Sequence, residues 1–138
     1  MNHIMLDELD ICQKFLAVWS RIKNNIEQFA TDNNLTMQQI FVLYHLCNQD
    51  QILMGTLAKT LHCDASNVTG MVDRLQSGGF ITRTEMPTDR RARQLKITPK
   101  GRALIDKLIP RLADDVGFEQ LSTAEATALH SFFDKILT

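Results

Sequence analysis

Apolar residues recur along most of the chain at the three-and-four spacing of a helix. Ile4, Ile11, Phe15, Val18, Trp19, Ile22, Ile26 and Phe29 sustain that spacing over residues 4–31, an unusually long run. A helix of about 27 residues is about 40 Å long. That exceeds what a 138-residue chain covers by itself, so part of it is expected to pack on a second subunit, the alternative being one long core helix of a monomeric bundle. Thr36-Met37-Gln38-Gln39 is a capping box: Thr36 caps the amide three residues on and Gln39 reaches back. The helix it opens carries Ile40, Leu43, Tyr44 and Cys47 on one face, with Phe41, Val42 and Leu46 beside it. It is apolar nearly all round, hence central, and should end near Asn48-Gln49-Asp50. A short helix is predicted from Leu53 to Leu61, with Leu57, Ala58 and Leu61 inward, then a tight link, His62-Cys63-Asp64. Asp64 or Ser66 is placed to cap the next helix, where Val68, Met71, Val72 and Leu75 fall at i, i+3, i+4 and i+7. That helix stops at Gly78-Gly79, where the left-handed region is wanted.

The period then changes. Phe80 to Thr84 and Arg93 to Ile97 are short, partly alternating and rich in β-formers, with Glu85 to Ala92 between them as a turn containing Pro and Asp. This predicts a β-hairpin with a long basic tip. Thr98-Pro99 restarts a helix, Thr98 as N-cap and Pro99 at the first position, where a missing N–H costs nothing. Leu104, Ile105, Leu108 and Leu112 form its stripe, and Pro110 should kink or split it. Ser122-Thr123-Ala124-Glu125 is a second capping box. It opens a last helix whose Leu129, Phe132, Phe133, Ile136 and Leu137 need a partner.

Length and composition fit one soluble globular domain. No apolar run approaches the roughly 18–20 residues of a membrane span, and the acidic start is unlike a signal peptide. A cytoplasmic protein without a membrane partner is expected. Cys12, Cys47 and Cys63 are an odd number with no close pair, which excludes a disulfide framework. Net charge is −1, but the charge is uneven. Residues 83–102 hold 7 basic and 2 acidic side chains, net +5, while the segments on either side are each net −3. So concentrated a patch can bind a polyanion although the whole chain is near neutral.

Two short helices joined by a tight link and followed by a basic hairpin describe a winged helix-turn-helix. The second helix is narrow enough for the major groove. Its apolar face anchors it. The opposite face shows Ser66, Asn67, Thr69, Gly70, Arg74 and Ser77, mostly small and polar, suited to base edges and phosphates. Arg90, Arg91 and Arg93 sit at or near the hairpin tip, where they could enter a minor groove or clamp a phosphate.

Three stretches carry a resemblance: Asn67 to Leu75, Gly79 to Arg83, and Asp89 to Gly101 with its Asp-Arg-Arg wing and Thr-x-x-Gly. Together they resemble the MarR family of bacterial transcriptional regulators over nearly the whole chain. The resemblance implies a mainly α fold with a small β-hairpin wing, one MarR-type domain over residues 1–138. Residues 1–33 and 99–138 would be dimerisation helices and 36–98 the winged lobe, with reading helix 64–78 and wing 80–98. It implies a homodimeric repressor, shaped like a triangle, on a pseudo-palindromic double-stranded DNA operator. DNA contacts would come from Ser66, Asn67, Thr69, Gly70, Arg74, Arg83, Arg90, Arg91 and Arg93. Asp73 would pair with Arg91 to orient the wing, with Asp89 beside it. Many members carry an arginine where this chain has Gly70, which shifts base readout toward Ser66, Asn67, Thr69 and Arg74. An aromatic or anionic effector would bind between the dimer helices and the DNA-binding lobes, near the first two helices, and loosen the grip on DNA.

Other chemistry finds less support. Cys12 stands about where some MarR-type proteins carry a peroxide-sensing cysteine, and Cys63 stands at the start of the reading helix, as in others. Tyr44 is the one tyrosine, so the tyrosines that bracket the sensing thiol in such members are missing around Cys12. Redox sensing therefore stays an alternative, as does a winged helix used only for protein contacts. His45/Cys47 and His62/Cys63 are close pairs without a second cluster at metal-binding spacing. No GxSxG, P-loop or HExxH is present, so neither a cofactor nor an enzymatic reaction is expected.

Overall fold

The computed structural model describes residues 2–49 and 51–138, with side chains throughout except at residues 2–6, Arg90 and Arg91. The chain runs α1 (Asn2–Asp32), α2 (Met37–Asn48), β1 (Ile52–Leu53), α3 (Met54–Thr60), α4 (Ala65–Ser77), β2 (Ile81–Met86), β3 (Asp89–Ile97), α5 (Pro99–Val116), a 3-10 turn (Phe118–Gln120) and α6 (Thr123–Ile136). The fold is mainly helical with a small antiparallel sheet of order β1-β3-β2. No described helix is long and apolar enough to cross a membrane.

Both capping boxes form. Thr36 Oγ1 accepts from the Gln39 amide at 3.2 Å while Gln39 Oε1 accepts from the Thr36 amide at 2.8 Å. Ser122 and Glu125 repeat the exchange at the start of α6. Three expectations are corrected. The hairpin tip is the two residues Pro87 and Thr88, because β2 and β3 continue through most of the expected loop, with a register shift at Glu85/Met86. Ile52 and Leu53 form a third strand opposite Leu95 and Gln94, and α3 starts only at Met54. Two residues are too few to show an alternation. Of the two outcomes expected at Pro110, a kink or a split, the split does not occur: α5 runs through it, since a proline removes one amide donor and leaves the rest of the ladder in place.

The chain forms two compact units, one of residues 26–109 and one of 1–25 with 110–138. The first holds a dense core: Ile40, Val42, Leu43 and Leu46 of α2, Leu57 of α3, Val68, Val72 and Leu75 of α4, and Ile81 and Leu95 of the sheet are all buried. The second is different in kind. Among the described residues, every buried hydrophobic side chain belongs to 26–109. The terminal unit instead shows Phe15, Trp19, Phe132, Ile136 and Leu137, each at least 39% exposed. Phe15, Phe132 and Phe133 form a ring cluster there, with centroids 5.7–6.3 Å apart. Arg21 Nη2 also donates to the Asp115 carbonyl at 2.8 Å.

Candidate nucleic-acid interface

The candidate interface is built on α4. Val68, Met71, Val72 and Leu75 are buried, which fixes the roll of the helix. Ala65, Ser66, Asn67, Thr69, Gly70, Asp73, Arg74 and Ser77 are left exposed. The sequence places Asp64 or Ser66 as the cap. Asp64 does hold the N-cap position, but its carboxylate makes no capping hydrogen bond, and Ser66 lies inside the first turn. The first amides of α4 therefore keep donors that an external acceptor can use. Thr69 Oγ1 donates back to the Ala65 carbonyl at 2.9 Å. At its other end α4 stops at Gly78, followed by Gly79 at φ +78°.

A buckle of short bonds joins that end to the wing and to α5. The Thr98 amide donates to the Phe80 carbonyl at 3.0 Å. Thr98 Oγ1 donates to the Gly79 carbonyl at 2.6 Å and accepts from the Gly101 amide at 3.2 Å, as the N-cap should. Lys100 Nζ donates to the Gly78 carbonyl at 2.6 Å and lies 4.6 Å from the centre of the Phe80 ring.

Asp73 faces the wing, and its partner is Arg83: Nη2 lies 2.7 Å from Oδ1. The guanidinium expected to face DNA is thus turned onto α4 and its side chain is 19% exposed, against 54% for Asp73. The expected Asp73–Arg91 pair lies outside the described residues, as do the side chains of Arg90 and Arg91. Their backbone belongs to β3, beyond the two-residue tip. Asp89 opens β3 opposite Met86. Arg93 stands opposite Glu85 and pairs with it at 3.7 Å. α3, α4 and the wing converge on an open cleft of about 860 Å³, with Lys59, Thr69, Asp73, Arg83 and Arg93 on its walls. Lys59 was missed by sequence reasoning; it sits on the last turn of α3, and nothing in the local pattern marks it.

The cysteines do not converge. Cys12 is exposed on α1. Cys63 is half-buried, and its thiol donates to the Leu61 carbonyl at 3.3 Å. Burial pushes the Cys47 thiol up, opposed by nearby Arg102 and reinforced by Asp106. Among the described residues no group of three or more His, Cys, Asp or Glu could hold a metal ion.

The model of the MarR family matches residues 35–92, from the end of the α1–α2 link into β3. The multiple antibiotic resistance protein MarR of Salmonella typhimurium is 31% identical over 120 residues, covering 85% of this chain and 81% of that protein. The chain belongs to the MarR family.

Two solved structures share the fold of this MarR-family chain. A mutant MarR from E. coli complexed with operator DNA gives a TM-score of 0.67 at 24% identity, covering 96% of each chain. Bordetella bronchiseptica BpsR, whose DNA binding is regulated by 6-hydroxynicotinic acid, gives 0.67 at 26% identity, covering 94% of this chain and 99% of that one.

Proposed function

We propose that this MarR-family regulator is a cytoplasmic homodimeric repressor that binds a pseudo-palindromic operator. In this reading α4 enters the major groove. The wing reaches phosphates and the minor groove with Arg90, Arg91 and Arg93. The observation that supports it best is the Asp73–Arg83 pair, which ties reading helix to wing so that the two meet DNA at a set spacing. A half-exposed ion pair adds at most about 1 kcal/mol to stability, so its use is geometric. Ser66, Asn67, Thr69, Gly70 and Arg74 face the bases, and Asp89 supports the wing from the start of β3. Dimerisation through residues 1–33 and 99–138 would place two reading helices roughly 34–36 Å apart, one turn of DNA. An aromatic or anionic effector would favour a spacing of the lobes that does not fit DNA, weakening binding by its difference in affinity for the two states.

The test is binding of the purified protein to its own upstream DNA at two salt concentrations, against a scrambled duplex. Tight, sequence-preferring binding is expected, with log affinity falling against log salt at a slope of about −0.9 per phosphate neutralised. Arg91→Ala should weaken binding to all sequences and flatten that slope, while Asn67→Ala should change the preference among sequences. If both variants kept wild-type affinity and preference, α4 and the wing would not be the reading elements.

A further inference from the structure

The reading face of α4 has a gap in its middle, and nothing in the fold calls for it. Opposite the buried side of the helix, Ser66 and Gly70 lie along the centre of the exposed face, flanked by Asn67 and Arg74 on one side and Thr69 on the other. A Cβ built at Gly70 meets nothing within 4 Å. Gly70 is not among the residues with positive φ. Neither packing nor backbone geometry therefore requires glycine, and glycine disfavours a helix. The gap opens on a recess of about 280 Å³ between α4 and the start of α2, bounded by Thr36, Gln38, Ser66, Asn67 and Arg74.

The neighbours set its chemistry. The Thr69 hydroxyl donates to the Ala65 carbonyl, so it is engaged within the helix. Asn67 is exposed, and its amide offers one donor and one acceptor side by side, the pattern that matches adenine N6 and N7. Asn67 and Gly70 stand three residues apart, neighbours on one face at about 5–6 Å. On the major-groove edge of one A·T pair the adenine N7 and N6 lie beside the thymine methyl, whereas a G·C pair has no methyl there.

We propose that Asn67 and Gly70 together select an A·T pair in each half-site: the Asn67 amide takes adenine N6 and N7, and the thymine methyl enters the space over Gly70. The proposal rests on α4 reading DNA, and it makes the missing side chain a specificity determinant.

The test starts from duplexes that the wild-type protein selects from a random pool. Each thymine of a selected duplex is replaced in turn by deoxyuridine, which removes only the methyl. At one position in each half-site the replacement should weaken wild-type binding about fourfold, the worth of one buried methyl. Gly70→Ala, whose added methyl is clear of the rest of the chain, should melt no lower than wild type. It should lose affinity for the thymine duplex but little for the deoxyuridine duplex, bringing the ratio of the two near one. Asn67→Ala should lose the preference for adenine at that same pair. An unchanged thymine-to-deoxyuridine ratio in Gly70→Ala overturns the proposal, as does a wild-type protein indifferent to every thymine. If the pool yields no enriched sequence at all, the DNA-reading assignment itself fails and this proposal falls with it. Enrichment with silent deoxyuridine leaves the assignment standing and removes only the proposal.

Discussion

At Gly101 the chain needs a hydrogen atom where any other residue has a carbon. A Cβ there would lie 2.4 Å from the Phe80 carbonyl oxygen and 2.8 Å from Ile97 Cγ1, because the first turn of α5 crosses directly over the start of the wing. The backbone oxygen cannot swing aside without breaking its bond to the Thr98 amide. Gly101→Ala should therefore destabilise the protein by about 1–3 kcal/mol, the usual cost of overpacking, visible as a lower melting temperature. The near half of this buckle is legible in sequence, since Thr98 and Pro99 are start signals that act within one turn. The far half is not: Gly78, Gly79 and Phe80 lie about 20 residues away and carry no local mark of their partners. The same limit explains Asp73: that it meets Arg83 depends on how β2 lies against α4, while the pairing with Arg91 that the resemblance implies lies outside the described side chains.

Helix ends and strand ends behave differently at the scale of elements. Both capping boxes are visible in sequence because all their atoms lie within four residues. The wing strands run further than their local pattern marks, since Arg90 to Ala92 lack the apolar alternation of a strand; the β2–β3 ladder supplies that order from across the hairpin. β1 was missed because it exists only through its pairing with β3. At the start of α6, hydrogen bonds from the Ser122 backbone and hydroxyl hold the Glu125 carboxyl below its usual range. The sign follows directly. A carboxyl whose folded pKa is lowered stabilises the folded state above its unfolded pKa, and that contribution is lost as pH falls through the folded value. Helicity of wild-type protein should thus decline on acidification below about pH 4 more than that of Glu125→Gln, which has no charge to lose there. Circular dichroism across that range checks it. Equal pH profiles would mean the cap does not titrate in place.

The whole molecule is uneven: a unit with a finished core is joined to one without. Long amphipathic runs at 4–31 and 123–137 are legible in sequence, and the structure leaves Phe15, Trp19, Phe132 and Ile136 of those runs exposed. The division at residues 26 and 109 had no such signal, because α1 and α5 each run through both units without a break. If the terminal helices form the proposed dimer, Phe132→Asp, which puts a charge into the Phe15–Phe132–Phe133 cluster, should shift the protein from dimer to monomer in analytical ultracentrifugation and weaken operator binding sharply. The lobe of 26–109 should keep its own fold, because its buried residues are all its own. A dimeric wild-type protein whose Phe132→Asp variant stayed dimeric would place the interface elsewhere. That no described hydrophobic side chain of the terminal unit is buried also bears on dosage. Where copies pair, the paired form grows with the square of the unpaired-chain concentration, while an unpaired chain leaves its terminal helices open to proteolysis. For such a pairing chain, halving synthesis would cost the cell more than half of the paired form, so that form would fall more steeply than chain abundance.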